Sequence, residues 1–365
     1  MNAIHPKTPN IPTLRSRFLG AWWGLFIGDA LAIPTHGYYS ADQIAHDYGE
    51  IDSYTPIKEP HPNSEMVRIQ FSPRNEKDNL LHHRTALWKK PGTHYHHGLN
   101  PGDNSLPFLI AQELAGSICD KDGQYDEVDF IDRYLHLMLS PDGHRDTYIP
   151  SAHRKFFSNY GSGRPIEKCG ENNNHVAGLI EAAPILLTYC GSPSLVNRLL
   201  KQHISIARPS GTLIHCAEFL AELLILLCQG NSLEDSIYKK LGHLHHPYLA
   251  YPYHRWIANQ DDITVATKNL SQGALADDAV PLAIYLSLKY ANNTEHALMM
   301  NANIGGDSCN RAGIIGMLLG AQNGCESISS ELATGLTNYA SLDKLGDTLW
   351  EFAKHSWGTK IIAPQ

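Results

Sequence analysis

Two segments at opposite ends of the chain carry small residues at every fourth position. The first series is Gly20, Gly24 and Gly28, and the second is Ala312, Gly316 and Gly320. Residues four apart lie on the same face of an α-helix, so each segment would form a helix with one nearly bare face. Because a bare face lets another backbone approach closely, we predict that these two helices pack against each other at the centre of the fold.

A polar turn lies beside each glycine series. Asp29 directly follows the first series, and Gly305, Gly306, Asp307 and Ser308 precede the second. Glycine permits backbone conformations that other residues resist, and Asp and Ser are good helix N-caps. The free amides of a first helical turn favour an anion, or a cation held by a carboxylate. The turn is therefore interpreted as a binding site, with a glycine-capped core helix as the structural alternative.

Length and composition fit one large core. The chain has 365 residues, of which 42% are hydrophobic, and no Ser/Gly linker or low-complexity tract divides it. We predict a single domain over residues 1–365, with residues 1–12 as a flexible tail. The net charge of -8 and the lack of a basic stripe argue against general nucleic-acid binding. The expected partner is a small molecule or a modified substrate, and the oligomeric state is left open.

Cysteine usage and the N-terminal sequence bear on location. The seven cysteines are scattered and include no C-x-x-C pair, which fits neither a disulfide framework nor a common zinc knuckle. A reducing, cytoplasmic compartment is expected. The apolar stretch Trp22–Ile33 is short and interrupted by glycine, so no membrane association is expected.

Apolar residues recur at helical spacing through most of the chain, which predicts an all-α fold. The predicted helices are Arg15–Ile27, Leu106–Ala115, Asp126–Leu139, Val176–Tyr189, Ser194–Ala207, Thr212–Gln229, Ser232–Leu241, Asp262–Lys268, Ala276–Tyr290, Thr294–Met300, Asn310–Gln322 and Ser341–Ser356. Residues 32–101 form a long, partly irregular insertion after the first helix. Within it Glu65–Phe71 alternates like a strand, so a small hairpin lid is predicted.

A histidine cluster stands near the end of the insertion. On an extended chain His94 and His96 would share one side while His97 points away. Such a pair could bind a soft metal or donate hydrogen bonds to a sugar. With 21 histidines in the chain, a chance cluster is the third interpretation.

Two further polar groups have open interpretations. On the helix predicted from Thr212, the side chains of His215, Glu218 and Glu222 share one side, which would face either solvent or a cleft. Asn173 is the middle of three consecutive asparagines, whose amides form turns but could also bind hydroxyl groups or a purine edge.

These motifs resemble the ADP-ribosylglycohydrolase superfamily, which includes dinitrogenase reductase-activating glycohydrolases and J1-type crystallins. The resemblance extends through nearly the whole chain and suggests a divergent branch. It rests on Gly28–Leu31, Gly102–Ser105, Ala182–Ile185, Thr212–Leu226, Gly273–Ile284, Gly305–Ser308 and Gly316–Ala321. It implies a single-domain, all-α fold in which the two chain ends meet.

The sequence departs from the family at its metal ligands. Relatives that hydrolyse ADP-ribosyl bonds hold two magnesium ions through Thr-Asp-Asp in an N-terminal segment and Asp-x-Asp-Thr in the glycine turn. The matching positions here are Gly102, Asp103 and Asn104, and Asp307, Cys309 and Asn310. Two of the four carboxylates remain, and magnesium prefers oxygen ligands. We therefore expect no binuclear magnesium site and at most one magnesium ion, held by Asp103 and Asp307.

Two other departures change the expected chemistry. His36 stands where many relatives have a glutamate, and a histidine can still act as a general acid or base. Arg311 could replace the charge of a metal by pairing with Asp103, Asp307 or a ligand phosphate.

The resemblance implies a hydrolase that acts on an N-glycosidic or O-glycosidic bond of an ADP-ribosyl or nucleotide-like ligand. Asp29, Asp103 or Asp307 would stabilise positive charge or activate water, and His36 or His96 would handle the proton. The predicted ligand-binding residues are His94, His96, Asn104, Ser105, Asn173, Gly305, Gly306, Ser308 and Arg311. Two alternatives remain open: a catalytically silent binding protein and a structural protein of the crystallin type.

Overall fold

A computed structural model describes residues 11–69, 71–241 and 247–358. Its first nine α-helices are α1 (Leu14–Ala32), α2 (Ala41–Tyr48), α3 (Leu106–Asp120), α4 (Glu127–Leu139), α5 (Ser151–Gly161), α6 (Ala177–Glu181), α7 (Ala183–Tyr189), α8 (Pro193–Ala207) and α9 (Gly211–Cys228). The next eight are α10 (Leu233–Asp235), α11 (Tyr253–Asn259), α12 (Asp262–Thr264), α13 (Ala276–Lys289), α14 (Thr294–Ile304), α15 (Ser308–Asn323), α16 (Ser330–Thr334) and α17 (Tyr339–Trp357). Within the described ranges the chain forms no strand beyond a single bridge between His175 and Leu275. The all-α prediction is confirmed.

Helices α1 and α15 pack against each other through their glycine faces, as predicted. A Cβ atom on Gly24 would overlap the backbone of Gly316, and one on Gly20 would overlap the Gly320 carbonyl. Gly28 faces the Ala312 carbonyl in the same way. Both helices are buried along nearly their whole length, so they form the centre of the core. This contact places the end of α1 beside the start of α15.

Helix α1 continues beyond the predicted end at Ile27. It runs through Gly28 and Asp29 to Ala32, because its packing against α15 outweighs the weak helical preference of glycine. Two described helical stretches, Leu14–Thr35 and Gly211–Cys228, are long and apolar enough to cross a membrane. The expectation that the first is too short is therefore wrong. Its burial inside the fold accounts for its apolar sequence, as expected of a core helix.

Other predicted boundaries also need correction. The segment predicted as one helix from Val176 is broken at Ala182, just before Pro184, into α6 and α7. The predictions omitted four helices altogether, namely α2, α5, α11 and α16. The segments 236–240 and 265–269 form wide π-helical turns in place of regular α-helix.

The insertion is confirmed as largely irregular, but the hairpin lid is wrong. Met66–Arg68 forms a 3-10 turn, and neither residues 65–69 nor Phe71 is in a strand. The Arg68 N–H donates to the Glu65 carbonyl, and the Ile69 N–H donates to the Met66 carbonyl. These local bonds satisfy the backbone, so the alternation of side chains did not require a partner strand. Gln70 and the proposed tail, apart from residues 11 and 12, lie outside the described residues.

A buried ionic network joins α5, α6 and the segment after α8. The Arg208 guanidinium pairs with the Glu181 carboxylate, whose other oxygen lies 2.9 Å from His153 Nε2. His153 Nδ1 lies 2.7 Å from the Tyr134 hydroxyl. Although burial opposes ionisation of Glu181, Arg208 and His153 lower its pKa to about 2. The network therefore fixes the helices on one side of the core through charge as well as packing.

Candidate functional site

Five chain segments converge near the end of α1: the turn after that helix, the segment leading into α3, the loop before α5, the residue His175 before α6, and the start of α15. They enclose a small cavity lined by His36, His96, Ser105, Pro107, Asp146, Tyr148, Pro150, His175, Cys309 and Asn310. The free volume of the cavity is about 10 Å³, which is room for roughly one water molecule or ion. The packing of α1 on α15 thus creates a closed polar site.

The glycine turn before α15 is held by backbone hydrogen bonds. Gly305 and Gly306 have φ angles of 76° and 74°, a region that favours glycine. The Gly306 N–H donates to the Tyr38 carbonyl at 2.5 Å, and the Asp307 N–H donates to the Gln272 carbonyl at 2.9 Å. These amides are engaged within the protein. The Gly305 N–H likewise donates to the Asn301 carbonyl at 3.3 Å, so neither glycine amide is available for the predicted ligand contact, and the turn serves to place Asp307.

Asp307 lies at the N-cap position of α15 and faces His36. Its Oδ1 accepts a hydrogen bond from Asn310 Nδ2 at 2.8 Å and lies 3.6 Å from His36 Nδ1. Its Oδ2 is buried without a hydrogen-bond partner, as are His36 Nδ1 and Asn310 Oδ1. Buried polar atoms without partners are uncommon and costly. The structure thus brings together two of the four predicted catalytic residues, His36 and Asp307, while their catalytic role stays a prediction.

Burial and the neighbouring His96 lower the pKa of His36 to about 3. The imidazole is therefore neutral near pH 7, and a neutral ring can accept a hydrogen bond or bind a metal. Of the two predicted roles of His36, a neutral ring fits the general base and not the general acid.

His96 is oriented by a carboxylate that the sequence analysis missed. Its Nδ1 lies 2.9 Å from Asp146 Oδ1, while Asp146 Oδ2 accepts from the Leu106 N–H at 2.8 Å. Nε2 of His96 then faces Cys309 Sγ at 3.9 Å. Burial lowers the pKa of His96, but Asp146, with smaller contributions from other carboxylates, raises it overall. Asp146 lies in a loop without periodicity, so no sequence signal pointed to it.

His94 has a structural position. Its Nε2 lies 3.1 Å from the Pro34 carbonyl, and its Nδ1 accepts from the His96 N–H at 3.0 Å. Both ring nitrogens are engaged, so the predicted ligand-binding role of His94 is wrong. The segment forms turns rather than an extended chain, which sends His94 and His96 to different partners. His97 points away as predicted and contacts Glu59 at 2.9 Å.

Asp29 supports the turn before α3. Its carboxylate accepts from the Ser105 N–H at 2.7 Å, from the Ser105 hydroxyl at 2.7 Å and from Asn104 Nδ2 at 3.0 Å. Its side chain is wholly buried, and burial outweighs these hydrogen bonds to raise its pKa to about 6. Asp29 and Asn104 thus position the start of α3, in place of the catalytic and ligand contacts expected of them. Ser105 does reach the cavity.

Asp103 has different surroundings from Asp307. Its Oδ2 lies 2.6 Å from the Arg145 guanidinium and accepts from the Asn100 N–H at 2.7 Å. It lines a separate, more open pocket together with Arg145 and Asn338. Asp103 therefore does not share a metal site with Asp307, contrary to the prediction. It also lies outside the cavity in which its catalytic role was expected.

Ser308 and Arg311 hold the turn in place. The Ser308 hydroxyl donates to the Ala32 carbonyl at 3.1 Å, which ties α15 to the end of α1. Arg311 donates to Asn301 Oδ1 at 2.6 Å and to the Gly305 carbonyl at 2.5 Å. Within the described ranges it forms no ion pair with Asp103 or Asp307. The predicted pairing with either aspartate is therefore wrong, whereas pairing with a ligand phosphate stays a prediction. Burial, opposed mainly by Asp307, lowers the pKa of Arg311 to about 10.

The remaining polar candidates lie at the edge of the site or outside it. Asn173 bonds Ser151 Oγ at 3.2 Å and the His175 N–H at 3.0 Å, which makes it a turn former. Its predicted ligand contact stays a prediction. His175, which was not selected, lines the cavity. On α9, His215 is 62% exposed and lies 3.8 Å from Glu218, so that stripe faces solvent rather than the cleft.

Tyrosines border the site. Tyr39 is 52% exposed, whereas Tyr95 and Tyr148 are half-buried and meet edge to face with ring centroids 5.1 Å apart. The Tyr95 ring also meets the His36 ring edge to face, with ring centroids 5.9 Å apart. Tyr39 lies beside the glycine turn, because the preceding residues Gly37 and Tyr38 both bond the backbone of Gly306. Burial, followed by Asp307 and Tyr95, raises the pKa of Tyr39. Tyr39, Tyr95 and Tyr148 together form an aromatic rim, which could stack on a planar ring or a sugar ring of a ligand.

The family model for ADP-ribosylglycohydrolases matches residues 10–358. The chain belongs to this family. A solved structure titled "ADP-ribosylglycohydrolase-related protein complex" is similar in fold, with a TM-score of 0.64 and 19% sequence identity. The alignment covers 93% of this chain and 99% of that one. The search of curated proteins gives no match.

The two magnesium ions implied by this family do not fit the residues present. Cys309 offers sulfur where a carboxylate is needed, and Asn104 turns its amide towards Asp29. Asp103 is paired with Arg145, away from the cavity beside Asp307. Magnesium requires oxygen ligands in near-octahedral geometry. The donor set beside Asp307 is instead one of nitrogen and sulfur.

Proposed function

We propose that this family member is a hydrolase of glycosidic bonds whose ligand is an ADP-ribosyl or related nucleotide-like group. The observation that carries the proposal is the buried Asp307 carboxylate that follows the glycine turn: its Oδ1 lies 3.6 Å from His36 Nδ1, and its Oδ2 has no hydrogen-bond partner among the described residues. Family membership supports a hydrolase-like fold, and the proposal adds the substrate class.

Asp307 has the chemistry that such a reaction needs. Cleavage at an anomeric carbon develops positive charge on the sugar ring, and a fixed carboxylate stabilises that charge or accepts a proton from the attacking water. The cavity lined by His36, Cys309 and Asn310 has room for that water. The neutral His36 imidazole would accept a hydrogen bond that orients it.

The ligand would bind over the cavity rather than within it, because about 10 Å³ cannot hold a sugar ring. Tyr39, largely exposed beside the turn, offers a face for an adenine or ribose ring. Tyr95 and Tyr148 would form the opposite border of that position.

A second candidate function is binding without turnover. It is favoured by the incomplete carboxylate set, since Asn104 and Cys309 replace two acidic residues of active relatives. Binding by the aromatic rim would survive those replacements, whereas charge stabilisation by metals would not.

One experiment separates these functions. The purified protein is incubated with N-linked and O-linked ADP-ribosyl peptides, release of ADP-ribose is followed by mass spectrometry, and ADP-ribose binding is measured by calorimetry. We expect release by the wild type and a loss of about a hundredfold in Asp307→Asn, the scale of removing one electrostatic partner. Binding without release would support the second candidate. If the protein neither binds ADP-ribose nor releases it from the peptides, both candidate functions are overturned and the structural role remains.

A further inference from the structure

We propose that His36, His96 and Cys309 form a binding site for one soft divalent transition metal of the zinc class, with a fourth coordination position open towards the cavity. The proposal concerns metal binding alone. It does not depend on the proposed glycosidic hydrolysis.

The three side chains offer one ligand atom each, and these atoms lie within 4.8 Å of one another. Cys309 Sγ and His96 Nε2 are 3.9 Å apart. Zinc bonds of about 2.0 Å to nitrogen and 2.3 Å to sulfur at tetrahedral angles place ligand atoms roughly 3.3 to 3.6 Å apart. The ligand atoms would therefore need to approach one another by about an ångström at most to surround an ion.

His96 is already arranged as a metal ligand. Its Nδ1 is engaged by Asp146, which is itself anchored at the Leu106 N–H. Metal-binding histidines commonly donate their second nitrogen to a carboxylate in this way, which fixes the ring and strengthens the ligand. The arrangement leaves Nε2 directed at Cys309.

Unpaired polar atoms at the same cavity form an independent observation. His36 Nδ1 and Asn310 Oδ1 are buried without partners, and so is Asp307 Oδ2 beside them. Asn310 and Asp307 expose only 4% and 3% of their surface. Each such atom costs free energy unless a water or an ion satisfies it. A bound ion carrying a water in its fourth position would face these acceptors.

The local charge favours a cation. Asp146 lies 2.9 Å from His96, and Asp307 lies 3.6 Å from His36, so a carboxylate stands beside each of the two imidazole ligands. These carboxylates would stabilise a bound dication, and the Cys309 thiol would lose its proton when it coordinates the ion.

Sulfur and imidazole nitrogen select the metal class. Magnesium and calcium prefer oxygen, whereas zinc and cobalt accept two imidazoles and one thiolate. Three protein ligands with one open position are typical of zinc sites that bind water or substrate. The site would thus replace the oxygen-based magnesium pair of the family by a single softer ion.

The test uses the full chain, purified without a polyhistidine tag, stripped with a chelator and titrated with Co²⁺. We expect one equivalent to bind, with a thiolate-to-cobalt charge-transfer band and the intense visible bands of four-coordinate cobalt. Zn²⁺ should displace it and raise the melting temperature, while Mg²⁺ at the same concentration should do neither. Cys309→Ser should abolish the charge-transfer band, and His96→Gln should weaken Co²⁺ binding at least tenfold.

Two matched variants guard against other thiols and histidines. Cys228→Ser removes a thiol that lies 3.9 Å from Cys190, and His97→Gln changes the neighbouring histidine that contacts Glu59. Both should keep the full cobalt spectrum. Melting curves of every variant in chelator confirm folding. A wild type without the charge-transfer band, or a band that survives in Cys309→Ser, would overturn the proposal whatever the outcome of the hydrolysis assay.

Discussion

Gly24 and Gly316 lie backbone against backbone at the crossing of α1 and α15. A Cβ on either residue would overlap the other's carbonyl group. The polar turn that ends in Asp307 directly precedes α15, so this contact helps to fix where the Asp307 carboxylate lies relative to the end of α1. Core packing and site geometry therefore depend on the same pair of residues.

Replacing either glycine by leucine should be severely destabilising. We expect Gly24→Leu and Gly316→Leu to lose on the order of 3 kcal/mol or more, because overpacking between two helix backbones cannot relax locally. Gly211→Leu is a matched control, since Gly211 begins α9 at an exposed position with open space around its Cα. Thermal and urea melts measure the effect. A melting curve for Gly316→Leu like that of the control would show that the helices can separate without cost.

Asp307→Asn distinguishes a helix cap from a charged site residue. Asp307 stands at the N-cap position without a side-chain capping bond, and asparagine keeps the oxygen that accepts from Asn310, so stability should change by at most about 1 kcal/mol. Ligand binding or turnover should fall about a hundredfold, because the charge is lost. Asp261→Asn, the same change at the exposed N-cap of α12, should leave both unaltered. Full activity in Asp307→Asn would reduce the turn to a structural cap.

Asp29 should behave as a positioning residue for the start of α3. Asp29→Ala leaves the Ser105 N–H and Asn104 Nδ2 facing a void, and we expect a loss of about 2 kcal/mol or more. Asp29→Asn should stay within about 1 kcal/mol, because its amide oxygen can still accept from the Ser105 N–H while the Ser105 hydroxyl reverses its bond. Denaturant melts measure both. Equal losses in the two variants would indicate that the charge of Asp29 itself stabilises the fold.

The Glu181–Arg208 ion pair should make the free energy of unfolding depend on pH in the acidic range. The folded pKa of Glu181 is lowered from an ordinary 4.5 to about 2, so its contribution is present above pH 4.5 and is lost as the pH falls towards 2. A shift of this size corresponds to on the order of 3 kcal/mol. The stability gap between wild type and Glu181→Gln should narrow between pH 6 and pH 3 in denaturant melts. Glu351→Gln, an exposed glutamate paired with Lys354, should show no comparable gap. A gap that is constant with pH would contradict the buried ion pair.

The sequence by itself determined the helical framework and its central crossing. Small residues at every fourth position describe a helix face locally, and Gly20, Gly24 and Gly28 met the glycine face of α15 as predicted. The order of the glycine turn and the helix that follows it could also be predicted, since α15 begins at Ser308, directly after Asp307. These features could be predicted because they depend on short-range periodicity, or on two faces that have no other way to pack.

Tertiary structure alone decided which polar side chains share the site. Asp146 reaches His96 from a loop without any pattern, and Cys309 faces His96 rather than Asp103. His94, which looked equivalent to His96, is occupied by the Pro34 carbonyl because the segment turns instead of extending. Such pairings depend on the path by which the long irregular segments close over the core. Hydrogen bonds between residues far apart in sequence leave no periodicity in the sequence from which they could be predicted.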